Sequence, residues 1–322
     1  MTHPPRPAPR GPDPTAPPDR KAHIVTMTPV RPARPTVTPL AGHIGAEIGG
    51  VDAAAPPAAA TVAELRRALL RYKVVFLRNQ RLDYASQAAF ARAFGDLTLG
   101  HPIYRAPEDR PEVRELDSRQ GTRANHWHTD LTFVDRPPAL AFLHNKIAPP
   151  YGGDTLWANT VTAYESLPEP LRALADRLRV VHSNDSDYTD ATVAARREYI
   201  STLFETEHPA VHVHPETGER ALLLGGFARR AVGLSPQASR DVLRVLQEYV
   251  TTPEHTVHWR WSEGDLAIWD NRATQHYAVF DYGDMDRRAE RCTVTGSVPV
   301  GVDGRPSTVL TGDTTAYSDG VS

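Results

Sequence analysis

The sequence has 322 residues, a formal net charge of −3, 14 histidines and one cysteine, Cys292. That charge gives no reason to expect a nucleic acid or an anionic membrane surface as partner, and one cysteine excludes an intramolecular disulfide or a cysteine-based zinc knot. No apolar run approaches the roughly 18 residues of a membrane span and the basic N-terminus has no apolar h-region, so a cytoplasmic protein is expected.

Residues 1 to about 35 carry eleven of the 29 prolines. With few apolar residues to bury and many missing amide donors, this stretch reads as a disordered or extended tail, and Met27 is an alternative start. Folded sequence begins near Val37. Ala41 to Val51 is glycine-rich and β-like, with Ile44 and Ile48 available to pack. Val62, Leu65, Leu69 and Leu70 repeat at helical spacing over Thr61–Tyr72, and Val74–Leu77 reads as a short buried strand. Asp83 caps a second helix carrying Phe90 and Phe94 and ended by Gly95. Strand signals between Ala139 and Trp157 are broken by Pro149-Pro150 and Gly152-Gly153.

Residues 182 to about 208 are polar, with little apolar periodicity, and read as a long connection. A lid over a binding site and an ordinary surface excursion fit it equally. Pro215-Glu216-Thr217-Gly218 is a turn between strands. Ser235-Pro236 starts a helix whose buried stripe is Val242, Leu246 and Tyr249. Thr256–Trp261 reads as a strand, Glu263-Gly264 as a turn, and Leu266–Trp269 as the returning strand. The last strand candidate runs from about Arg287 to Val300. No glycine cluster has phosphate-loop or dinucleotide spacing, and strands interrupted by a few helices do not form a doubly wound pattern.

Within Asn125-His126-Trp127-His128-Thr129-Asp130-Leu131-Thr132-Phe133, His128 and Asp130 stand two apart in a β-prone segment, so a strand would put both on one face. An imidazole and a carboxylate on a shared face make two-thirds of a facial metal site. The spacing alone is weak: with 14 histidines and 39 acids about two such pairs arise by chance, and the second, His214-Pro215-Glu216, falls in a turn and reads as incidental. His128 and Asp130 would equally satisfy each other as a buried pair. A third ligand is offered by His276, in a polar loop after a strand, and also by His212, His214, His255 or His258. Arg287 and Arg291 are four apart in a strand pattern and share a face, which suits anions; two surface arginines explain the same spacing.

Several blocks in order go further than spacing. WHTDLTF at 127–133, GGDTLWANT at 152–160, HPETGER at 214–220 and WDNRATQHYA at 269–278, with Arg287 and Arg291, resemble the Fe(II)/2-oxoglutarate-dependent dioxygenases of the taurine dioxygenase family, whose relatives include alkylsulfatases and phenoxyacetate dioxygenases. The resemblance spans about residues 37–312. It implies a mainly β fold with flanking helices around a double-stranded β-helix (jelly-roll, cupin-like) core. It also implies His128, Asp130 and His276 as iron ligands, Thr155 and Arg287 as 2-oxoglutarate residues, and His101, Tyr104 and Arg291 as substrate residues. Ala124 stands where taurine dioxygenase has an asparagine, with Asn125 displaced by one as a further candidate. Gly301–Ser307 looks closer to the alkylsulfatase branch.

The expected protein is therefore a dioxygenase domain over residues 36–318 that uses Fe(II), 2-oxoglutarate and O2. Its expected substrate is a small anion, an alkyl sulfate or sulfonate, giving an aldehyde and sulfate or sulfite beside succinate and carbon dioxide. Three alternatives stand beside it: a biosynthetic hydroxylase or desaturase of a carboxylate-bearing metabolite, a non-catalytic jelly-roll binding protein, and a zinc hydrolase. A homo-oligomer, dimer or tetramer, is expected.

Overall fold

The computed structural model describes residues 34–104, 107–120, 124–185 and 203–319, with residues 1, 3 and 4. The proline-rich tail and Met27 lie almost wholly outside them, as do residues 186–202 of the stretch read as a lid. The chain divides into residues 1–33 and residues 34–322, and every element named below belongs to the second unit.

A seven-stranded sheet runs, in spatial order, β1 (Thr36–Pro39), β2 (Ala46–Gly49), β3 (Val74–Leu77), β13 (Leu266–Asp270), β5 (Leu140–Ile147), β15 (Arg288–Val294) and β4 (Arg114–Asp117). Only β2 and β3 pair in parallel within it. Against it lies a three-stranded sheet of β12 (Thr256–Trp259), β6 (Thr155–Asn159) and β14 (Thr274–Ala278). A four-stranded sheet holds β11 (Ala228–Ala231), β7 (Arg179–Ser183), β8 (Glu205–Pro209) and β16 (Thr308–Thr311), and a hairpin holds β9 (Val211–Val213) and β10 (Arg220–Leu222).

The middle of the large sheet is apolar on both faces, which is why β3 reads as an unbroken apolar run. In β3, Val75 and Leu77 pack with Leu65 and Leu69 of the helix Ala59–Tyr72, while Val74 and Phe76 face the other way, onto Trp157 and Trp259 of the small sheet. Strand β13 divides likewise, Leu266 and Ile268 to the helices, Ala267 and Trp269 to the inside. The period of two thus sorts the strands into a helix-covered outer layer and an aromatic interior between sheets. The result is mainly β with helices outside, as expected.

Asp83 caps the helix Tyr84–Arg92 with a capping box, but the helix ends before Phe94 and Gly95; Phe94 still packs on Phe90 at 5.8 Å between ring centroids. Ser235 caps Pro236–Val250, with Leu246 buried. The turn at Gly218 falls between β9 and β10 as read.

Four expectations need correction. Strands β12 and β13 do not form a hairpin, because the Glu263-Gly264 turn carries the chain from the small sheet to the large one. The segment 182–208 is not all loop: it takes in the end of β7 and most of β8, whose polar residues hide their pairing from a periodicity test. His128 makes isolated bridges and Asp130 starts a turn with Leu131 at φ 55°, so that segment is no strand. His276 lies not in a loop but on β14, paired with Trp157.

Candidate metal centre

The site is assembled where the 127–131 segment meets β14. His128 N donates to His276 O at 3.0 Å and His276 N to His128 O at 2.8 Å, the exchange that puts directly opposed side chains on one face of an antiparallel pair. The two imidazole centroids are 4.1 Å apart. Asp130 Oδ1 lies 3.8 Å from His128 Nε2 and 4.0 Å from His276 Nε2, and one ligand atom from each residue falls within 4.8 Å of the others. Among the described residues this is the one such cluster of three.

The turn into Leu131 puts Asp130 on the imidazole side, and Asn271, between β13 and β14, fixes it. Asp130 N donates to Asn271 Oδ1 at 2.9 Å, and Asn271 Nδ2 donates to Asp130 O at 3.1 Å and to Pro138 O at 3.0 Å. His128 Nδ1 bonds the His126 carbonyl at 2.8 Å, so it carries the proton and Nε2 the lone pair. Trp269 packs on the His276 ring at 4.9 Å between centroids.

Burial, then the neighbouring His276, holds His128 down to about 3, and burial holds His276 down to about 4, so both imidazoles are neutral, as ligands must be. Burial pushes the Asp130 carboxyl up, but Arg291 and both histidines outweigh it and hold the group below its usual value. Asp130 Oδ1 is bonded by Arg291 Nη1, while Oδ2 is buried without a hydrogen-bond partner. An anionic oxygen so placed calls for a cation. Two imidazole nitrogens and a carboxylate on one side fit Fe(II), with positions left for a chelating cosubstrate.

Beside the cluster is a cavity of about 170 Å³. Arg287 and Thr155 line it together: Arg287 Nε donates to Gly153 O at 3.1 Å and Nη2 reaches Thr155 Oγ1 at 3.5 Å, where Trp261 Nε1 also donates, at 2.9 Å. Arg287 has no carboxylate within 4.0 Å among the described residues, and burial lowers its affinity for a proton. The arrangement suits an incoming carboxylate. Arg291, His101 and Tyr104 line the same cavity, whereas Asn125 is exposed and lies outside its lining.

The other histidines are engaged elsewhere. His214 bonds Asp270 at 3.0 Å, His212 bonds the Arg272 carbonyl at 2.7 Å, His255 the Tyr249 carbonyl at 2.7 Å, and His258 lies 2.9 Å from Asp154. The His214–Glu216 pair holds no metal cluster; Glu216 instead bridges Arg66 and Arg272, both at 2.8 Å. Reading the residues did not single out Arg114, His126 or Phe227, which also line the cavity, or Asn271. Arg114 alone carried a signal, as a cation at an inward position of the strand sequence Arg114-Glu115-Leu116-Asp117.

Residues 36–293 match the taurine catabolism dioxygenase TauD, TfdA family. An alpha-ketoglutarate-dependent sulfate ester dioxygenase of Pseudomonas putida is 51% identical over 280 residues, covering 84% of this chain and 93% of that relative. An alkylsulfatase of Acinetobacter baylyi is 47% identical over 289 residues, covering 87% and 89%. A crystal structure of a taurine dioxygenase from Burkholderia xenovorans superposes with a TM-score of 0.77 at 42% identity, covering 89% of this chain and 98% of that one.

Proposed function

Because the chain belongs to the TauD/TfdA family, and is with it an Fe(II)- and 2-oxoglutarate-dependent dioxygenase, we propose that it oxidises alkyl sulfates, releasing an aldehyde and sulfate. His128, Asp130 and His276 hold the iron, Thr155 and Arg287 hold 2-oxoglutarate, and Arg291 with His101 and Tyr104 holds the anionic head of the substrate. One observation carries the reading: the guanidiniums of Arg287 and Arg291 and the two-imidazole, one-carboxylate cluster line a single cavity. The sulfate ester and alkylsulfate chemistry named for the two relatives supports the choice of substrate.

When bound, iron and 2-oxoglutarate supply the oxidising power, with O2 consumed and succinate and carbon dioxide formed. The protein's part is positioning. Arg287 pairs with the distal carboxylate of the cosubstrate and so sets where its other end lies against the ligands. Arg291 and His101 fix the head, which leaves the carbon bearing the ester oxygen as the part of the chain nearest the cluster. Phe227, Trp269 and Leu131 wall the cavity with apolar surface and exclude water. A hydroxyl placed on the ester-bearing carbon gives a hemiacetal sulfate; its C–O bond to sulfate breaks, the hydroxyl proton leaves, and aldehyde and sulfate result.

In this reading the dioxygenase domain is residues 36–318, residues 1–35 are a tail, and the enzyme is a cytoplasmic homo-oligomer. No helix among the described residues is long and apolar enough to cross a membrane. The test is a panel of alkyl sulfates, sulfonates and carboxylates given to the Fe(II)-loaded protein with ascorbate and 2-oxoglutarate, scoring succinate together with sulfate or sulfite. Equal yields of succinate and sulfate from alkyl sulfates are expected; succinate only with carboxylates would overturn the substrate assignment.

A further inference from the structure

Arg114 is the third guanidinium of the cavity, and the fold brings it there beside Arg291. Strands β4 and β15 pair antiparallel with Arg114 directly opposite Arg291, so the two side chains leave the sheet on the same face. That face is the interior one, since Leu116 on β4 and Ala289 on β15 belong to the core between the sheets. Both arginines are 8% exposed and both line the cavity. Like charges directly across a strand pair destabilise a sheet, and burial makes such a pair costlier. Among the described residues that line the cavity, Asp130 is the carboxylate beside Arg114, Arg287 and Arg291.

Arg291 does not have its whole fork to offer. Its Nη1 is bonded to Asp130, and its Nε is buried without a hydrogen-bond partner. Arg114 is held in place by Tyr104, with its guanidinium carbon 3.8 Å from the ring centroid, and Tyr104 packs against His101 at 4.6 Å between centroids. His101 Nδ1 accepts from Ile103 N at 3.1 Å, and burial with Arg114 and Arg291 nearby keeps the ring neutral. Its Nε2–H is therefore a donor. One bidentate guanidinium engages both oxygens of a planar carboxylate, whereas a tetrahedral head presents a third terminal oxygen that such a fork does not reach.

We propose that Arg114 is a specificity-determining residue, which with Arg291 and His101 forms a two-guanidinium receptor for a tetrahedral oxyanion, a sulfate or sulfonate, in preference to a carboxylate. The inference rests on the reading above that the substrate is a small organic anion. It adds a second cation beside Arg291 on the same sheet face, and a physical reason for choosing among anions of equal chain length.

The experiment compares hexyl sulfate, hexanesulfonate and hexanoate with the Fe(II)-loaded enzyme and its Arg114→Leu and Arg114→Lys variants, following succinate. Arg114→Leu is expected to raise KM for the sulfate and the sulfonate about tenfold or more, as loss of a buried charge partner does, with a smaller change in kcat and little change for hexanoate. Arg114→Lys keeps the charge without the fork and is expected to fall between. Unchanged KM for the sulfate, or an equal rise for all three anions, overturns the proposal. If Arg114→Leu does not fold, Arg114→Lys decides, and an unaltered ratio of sulfate to hexanoate in that variant is the overturning result. Wild-type enzyme that turns over neither the sulfate nor the sulfonate defeats the functional reading itself, and the receptor falls with it.

Discussion

His128 and His276 exchange two backbone hydrogen bonds, at 3.0 and 2.8 Å, although they lie in distant parts of the sequence. That exchange sets two imidazoles side by side before any metal is considered, and it is flanked on its other side by the bridge from His128 to Gly225. Gly225 has φ 101°, and a Cβ there would lie 3.0 Å from His128 Cα and 3.1 Å from Trp127 O. Gly225→Ala is therefore expected to cost about 1–3 kcal/mol and to weaken divalent metal binding. Urea unfolding and a metal titration on the variant read both, and wild-type values in each would show that the bridge does not hold His128.

Arg287 is partly buried, with Gly153 and Thr155 oxygens as its hydrogen-bond partners. Truncating one member of a buried charge pair costs about 2–5 kcal/mol, so Arg287→Ala should weaken apparent 2-oxoglutarate affinity by roughly 30-fold or more. An unchanged KM for 2-oxoglutarate would remove Arg287 from the cosubstrate site.

Asp270 is fully buried at the end of β13, and its carboxylate is bonded by Arg272 Nε at 2.9 Å, Arg272 Nη2 at 2.7 Å and His214 Nε2 at 3.0 Å. Burial pushes the Asp270 carboxyl up, but His214 and Arg272 more than offset this and hold it far below its ordinary value. Removing one partner strands the others, at a cost of about 3–5 kcal/mol. Asp270→Ala should lower unfolding stability by that amount, and a loss below about 1 kcal/mol would mean that the network contributes little.

Two buried histidines away from the candidate metal centre set an acid limit on stability. Burial holds His208 down to about 3 and His212 to about 4, against an ordinary 6.5. Between these values the unfolded chain binds the protons that the folded protein refuses. Stability is therefore complete above about pH 6.5 and falls as the pH drops towards 4, by about 1.4 kcal/mol per unit for each histidine. His212→Asn should flatten that slope by about one histidine's share between pH 6 and 5. Parallel slopes for wild type and variant would contradict the assignment.

How much of this was legible in the sequence depended on what each residue had to signal. Val74–Leu77 and the Ser235 cap declared themselves, since burial on both faces demands an apolar run and a helix start demands an acceptor side chain. The end of β7 and most of β8 did not, because their pairing is backbone chemistry and His182, Ser183 and Glu205–His208 are polar. His276 read as loop because Asn271 and Arg272 are turn residues, yet the strand resumes at Thr274. His128 and Asp130 were paired for the wrong reason: no strand carries them, and a positive φ at Leu131 with the Asn271 clamp brings Asp130 round. Asn125, displaced from the family position, ends on the surface. Asn271 and Arg114 act through partners that only the fold supplies.

The most direct test is metal stoichiometry in the wild type and in Asp130→Ala, measured by anaerobic Fe(II) titration at neutral pH, with succinate release followed on the same samples. In the proposed centre the carboxylate is the anionic member of three ligands, so its loss should abolish tight binding. About one ion per chain in the wild type, and little retained metal or activity in the variant, is the predicted result. A fully loaded and active Asp130→Ala would contradict the assignment of His128, Asp130 and His276 as the metal centre.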